Sequence, residues 1–123
     1  MTAEELKLRT KQVALSVIHL TARLQRSREA DVLGRQLLRS ATSVGANYRS
    51  ACRARSKADF VNKISIVEEE ADESIYWMEL LSESQLVTAE SIDPLLEEMT
   101  ELTAIFTASG RTAKQNLKPN RKF

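Results

Sequence analysis

The chain has 123 residues, with 3 glycines, 2 prolines and no alternating β-branched or aromatic runs; that leaves room for one domain around one core and excludes a strand-rich fold. Its one cysteine, Cys52, excludes an intrachain disulfide, and no segment approaches the ~18 apolar residues of a membrane span. Formal net charge is +1 but unevenly spread. Residues 1–57 carry 12 Lys/Arg against 4 Asp/Glu, residues 58–110 carry 1 against 13, and residues 111–123 carry 5 against none. Such polarity points to a basic interaction surface or to charge pairing within the molecule.

The first element is a helix from Ala3 to about Arg26. Leu6, Val13, Val17, Leu20 and Leu24 fall within an arc of about 60° on a helical wheel, the seam of a bundle. Ser27 is the N-cap expected for a second helix, Glu29 to about Arg55. Its apolar side is Leu33, Leu37, Val44, Tyr48 and Ala51, beside a strip of small residues, Gly34, Ala41, Gly45 and Cys52. Each mid-helix glycine costs about 1 kcal/mol relative to alanine, so two aligned glycines predict the close approach of another helix backbone. Cys52, among these packing residues, is expected to be buried and inert.

Ser56, followed by Asp59, is the next N-cap signal, opening a helix from Lys57 to about Ser84. Phe60, Ile64, Val67, Ala71, Ile75 and Met78 share one face, while Ile66, Trp77, Leu80 and Leu81 lie outside it. A helix apolar over so much of its circumference buries two sides, and in a chain this small the second side predicts contact with another subunit through those four residues. Thr88 and Ser91 are alternative caps for a fourth helix beginning near Ser91, with Pro94 in its first turn. Ile92, Leu95, Leu96, Met99, Leu102 and Phe106 form its apolar face, Glu97, Glu98 and Glu101 point away, and Ser109-Gly110 is a possible C-cap. The expected architecture is all-α, an antiparallel up-down-up-down four-helix bundle over residues 1–117, with residues 118–123 a basic, flexible tail.

The sharpest functional feature is a row of arginines on the second helix. Arg28, Arg35, Arg39, Arg49 and Arg53 fall within about 80° on the wheel, opposite its apolar face. Such a row suits a phosphate backbone, through charge and bidentate hydrogen bonds, and Arg55, Lys57, Lys63, Lys114, Lys118, Arg121 and Lys122 extend it. The competing reading is a solvated face, or arginines paired with acids of the third helix such as Glu69 and Glu73. No catalytic constellation stands out. The only histidine, His19, lies on the polar side of the first helix, Cys52 has no other imidazole to activate it, and the isolated glycines build no phosphate loop. The run Glu68-Glu69-Glu70 with Asp72 and Glu73 lacks the Glu-x-x-His pairs of a bundle metal site. No enzyme, cofactor or metal is therefore expected. The N-terminal MTAEELKLRTK, charged from its start, has no apolar signal region, and a cytoplasmic, soluble protein is the expectation.

The stretch from Leu37 to Leu81 resembles the bacterial four helix bundle protein family, also known as 23S rRNA intervening-sequence proteins. The resemblance rests on Arg39-Ser40, Ser43-Val44 and Ala46-Asn47-Tyr48, then Ser56 and Phe60, then Glu70-Ala71 through Trp77. Tyr48 stands where the family has an aliphatic residue, and Asp72-Glu73-Ser74 varies its acidic run. The resemblance implies a four-helix bundle that forms a homo-oligomer, a ring of five, with RNA favoured among nucleic acids. It also implies an alternative, a protein-interaction scaffold or accessory subunit, for example of a reverse transcriptase.

Overall fold

The computed structural model describes residues 1–117, and the expected basic tail, residues 118–123, lies outside the described residues. Four helices make up the fold: α1 (Ala3–Ala22), α2 (Arg28–Cys52), α3 (Lys57–Glu83) and α4 (Ala89–Leu117). Their starts are written in hydroxyl side chains. Thr2, Ser27 and Ser56 are N-caps in extended backbone, and each accepts the amide N–H three residues on, from Glu5, Ala30 and Asp59. Such a cap satisfies one of the donors a helix start leaves unpaired and contributes about 1 kcal/mol. Of the two candidate caps before α4, Thr88 takes the role: its Oγ1 accepts from the Ser91 amide at 3.3 Å.

The ends depart from expectation in instructive ways. α1 stops at Ala22, because Arg23 leaves helical geometry and donates its amide to the Leu20 carbonyl. Pro94 lies beyond the first turn of α4, since that helix starts at Ala89. α3 closes on a Schellman motif, in which the Leu86 amide reaches the Leu81 carbonyl at 3.1 Å and the Gln85 amide the Ser82 carbonyl at 3.0 Å. Gln85 sits at φ 63°, in the left-handed region usually given to glycine. Gly110, expected to end α4, lies buried inside a helix that continues to Leu117.

Each helix packs on its sequence neighbour, and α1 also meets α4, which closes a four-helix bundle. Thr10 faces Gly45 and Leu24 faces Gly34, so α1 and α2 run in opposite directions. Glu68 hydrogen-bonds Thr107 while Ile64 faces Gly110, so α3 and α4 do too. The core is one cluster, with Val17, Leu37, Ile64, Met78, Met99, Leu102 and Phe106 fully buried. Tyr48 stacks against Phe106 with ring centroids 5.4 Å apart, and burial pushes its phenol pKa well above the ordinary value.

The buried stripe of α3 is Val61, Ile64, Val67, Ala71, Ser74, Met78 and Leu81. It is rotated from the expected face, leaving Phe60 and Ile75 half-buried. The rotation follows from a polar contact: the fully buried hydroxyls of Ser40 and Ser74 meet at 3.0 Å across the α2–α3 seam. Small hydroxyl residues let the two helices approach, and the pair satisfies its own hydrogen bonding through the Glu70 carbonyl at 2.8 Å. Leu81, expected at a subunit interface, is fully buried in its own bundle. It is the residue whose carbonyl anchors the Schellman motif, and the half-buried Leu86 packs against the core. Cys52, expected to be buried, is exposed. It is the last residue of α2, one position past the buried Ala51.

Candidate nucleic-acid interface

The arginine row of α2 is broken up in three dimensions. Arg28 stands at the start of the helix, almost fully exposed, with Glu29 at 3.6 Å. Arg35 faces a separate groove between α1 and α2, beside Asp31 and Ile18. Arg39 is clamped onto α3: it donates to Glu70 Oε2 at 3.2 Å and to Glu73. The Trp77 indole N–H, at 2.9 Å, and the Arg39 guanidinium together hold the Glu73 carboxyl below the usual carboxylate range. Arg39 is therefore paired within the chain, as the competing reading of the sequence has it.

Arg49 and Arg53 have another setting. They line a cavity of about 720 Å³ at one end of the bundle, together with Lys7 from α1, Arg55 from the α2–α3 connection and Lys63 from α3. The antiparallel arrangement brings these together, since the end of α2 meets the starts of α1 and α3. Glu4 takes Lys7 at 3.1 Å and Asp59 takes Lys63 at 3.2 Å. Asp59 also accepts the Arg55 amide at 3.0 Å. That backbone bond first, then Lys63, keeps its carboxyl below the ordinary range. Arg49, Arg53 and Arg55 form no ion pair among the described residues. The cavity opens into a groove between α1 and α2 through Lys7, Ala46 and Arg49, and Lys11 joins it there.

Sequence reasoning reached Arg49 and Arg53 and named Arg55 and Lys63 as extensions, but missed Lys7 and Lys11. A wheel drawn for one helix holds no information on cations supplied by another. Lys57 and Lys114 are exposed, and neither lines this cavity.

A second groove of similar volume lies at the far end, lined by Ser16, His19, Arg23, Gln85, Thr88 and Ser91 among others. His19 has no carboxylate beside it there. Among the described residues no group of three His, Cys, Asp or Glu is placed to hold a metal ion, and no helix is long and apolar enough to cross a membrane.

Of the four residues expected at an oligomer interface, Ile66 is exposed, Trp77 and Leu80 are half-buried, and Leu81 is in the core. Tyr76, edge-on to Trp77 at 5.1 Å, joins Ile66 on the outer face of α3. The larger exposed apolar strip is on α1: Leu8, Leu15 and Ile18 are 56%, 47% and 43% exposed.

A four-helix bundle with a basic cavity at one end defines a class of all-α bundle rather than a chemistry. The sequence profile of the 23S rRNA-intervening sequence protein family matches residues 5–108, and the chain belongs to that family. Its fold is similar to the crystal structure of a protein of unknown function from the S23 ribosomal protein family of Bacteroides thetaiotaomicron, with a TM-score of 0.82 and 33% sequence identity over 90% of this chain and 99% of that one. No curated protein matches the chain.

Proposed function

We propose that this protein is a non-catalytic, cytoplasmic RNA-binding protein that works as an assembly of identical copies. The observation that carries the proposal is the set of five cations, Lys7, Arg49, Arg53, Arg55 and Lys63, around one cavity, with three of them outside any ion pair among the described residues. Guanidinium groups suit phosphate oxygens through paired N–H donors, and a concave basic surface concentrates that effect. Membership of a family named for 23S rRNA favours RNA over other polyanions.

Self-association rests on two complementary faces. The α1 strip of Leu8, Leu15 and Ile18 adjoins Lys11, while Ile66 and Tyr76 on α3 lie among the exposed acids Glu69, Asp72 and Glu79. Two different patches that fit each other make a head-to-tail contact, which closes into a ring where the rotation allows; five copies is the number the resemblance implies. None of these residues lines the basic cavity itself, while Leu8 and Lys11 border the α1–α2 groove into which it opens.

Fluorescence anisotropy with a structured RNA, over a range of salt concentrations, tests the RNA reading. Replacing Arg49 and Arg53 with glutamate is expected to abolish binding. Replacing either with glutamine is expected to lower the slope of log K against log salt by about 0.7–0.9. Absence of binding at low salt, or binding indifferent to the double substitution, refutes it. The alternative of a protein scaffold or accessory subunit would appear instead as a protein partner retained after nuclease treatment.

A further inference from the structure

We infer that the basic cavity is a site for a terminal phosphate, so that the protein recognises the phosphorylated end of an RNA strand rather than a run of its internal backbone. The inference rests on the RNA reading above and narrows it to one ligand group.

The geometry separates a track from a cup. A track needs cations repeated along a surface, as the α2 row promised. Arg39, in the middle of that row, is spent on Glu70 and Glu73, and Arg35 faces a different groove. What remains is a convergence: Lys7, Arg49, Arg53, Arg55 and Lys63 come from three helices and a connection and surround one volume of about 720 Å³. Glu4 and Asp59 offset two of those charges, leaving an excess of three on Arg49, Arg53 and Arg55.

An internal phosphodiester carries one negative charge and two free oxygens. A terminal phosphomonoester carries about −1.5 to −2 at neutral pH, its second pKa being about 6, and presents three strong acceptor oxygens. The terminal group is the better match to three guanidinium forks, with the Ser50 hydroxyl on the same wall as a further donor. Ala46 lies where the cavity meets the α1–α2 groove. Its single methyl leaves a way in for the rest of the strand, which would continue past Lys11.

The test compares one single-stranded RNA made with a 5′-phosphate, a 3′-phosphate or hydroxyls at both ends, by anisotropy at fixed ionic strength and pH 7.5, with inorganic phosphate as competitor. A phosphorylated end is expected to bind about tenfold tighter or more. The preference is expected to shrink between pH 7.5 and pH 5.5 as the phosphomonoester takes up a proton, and to disappear in Arg49→Gln and Arg53→Gln. Circular dichroism establishes that those exposed substitutions leave the bundle folded. Equal affinity for all three RNAs, with binding still lost in Arg49→Glu/Arg53→Glu, overturns end recognition and leaves backbone binding standing. No affinity for any of them at low salt removes both. Inorganic phosphate binding at a cavity that ignores the RNA end also overturns the inference, assigning the cup to a free anion.

Discussion

Replacing each glycine with alanine, one at a time, asks how closely the helices approach. All three lie within helices, so each substitution gains about 1 kcal/mol of helix propensity, and the surroundings decide what is kept. At Gly110 an added Cβ would sit 3.6 Å from Ile64 Cγ2, an ordinary contact, and the full gain is expected. At Gly34 it would sit 2.9 Å from Leu24 Cδ1, the tip of a half-buried side chain beyond the end of α1 that can turn aside, so the gain is reduced to between about 0 and 1 kcal/mol. At Gly45 it would meet Thr10 Oγ1 at 3.1 Å and Thr10 Cβ at 3.3 Å, with the Thr10 carbonyl carbon at 3.6 Å. Thr10 cannot give way. It is buried and β-branched, and its hydroxyl donates to the Leu6 carbonyl at 2.9 Å or the Lys7 carbonyl at 3.0 Å. α1 must move off α2, an overpacking cost of about 1–3 kcal/mol that exceeds the propensity gain. Thermal unfolding should therefore place Gly110→Ala above the parent, Gly34→Ala close to it and Gly45→Ala below, with a spread of about 2 kcal/mol, or about 8 °C in Tm. A Gly45→Ala protein as stable as Gly110→Ala would refute the close approach of α1 and α2.

Acid should weaken the tie between α1 and α4. Arg9 donates to Glu98 at 2.8 and 2.6 Å and lies 3.2 Å from Glu101, and its guanidinium holds the Glu98 carboxyl below the usual carboxylate range. A carboxyl lowered on folding stabilises the fold above its unfolded pKa of about 4.3, and that contribution is lost as pH falls through the folded value. Urea unfolding should show Arg9→Gln destabilised by about 1 kcal/mol at pH 7, with the difference constant down to about pH 5 and vanishing below; a gap that persists unchanged at pH 3 refutes the ion-pair origin. Leu15→Glu, at an exposed position on α1, should leave the fold intact and convert the assembly to monomers in light scattering, whereas an unchanged mass would move the contact elsewhere.

Much of the bundle was legible because apolar spacing and hydroxyl caps act locally. Ser27 and Ser56 are caps in the sequence and in the structure, and the α4 face of Ile92, Leu95, Met99, Leu102 and Phe106 is buried as its periodicity requires. The α3 face was misread by a fraction of a turn, because a pattern of large apolar residues gives no credit to Ser74. That serine is buried only because Ser40 on α2 supplies its partner. Leu81 went astray for a related reason. It continues the stripe of Ala71, Ser74 and Met78, and a face drawn without Ser74 leaves it out. Glu98 was expected to point away from the core, yet it is half-buried against Arg9, a partner 89 residues distant in sequence.

The candidate site shows the same division between what one helix specifies and what assembly adds. On a wheel, Arg39 and Arg49 are equivalent members of one basic row. In the fold, Arg39 lies alongside the acidic middle of α3, where Glu70 and Glu73 meet it, while Arg49 lies near the end where α3 begins with lysine and α1 brings Lys7. The charge partition of the sequence holds the explanation. Apart from Asp59 in its first turn, the acids of α3 begin at Glu68, so α2 is neutralised at the level of Arg39 and left positive at Arg49, ten residues and nearly three turns further along. A uniform basic stripe laid against a non-uniform acidic neighbour thus becomes a localised basic end. The near-zero total charge, which argues against a broad nucleic-acid surface, is compatible with one compact phosphate site.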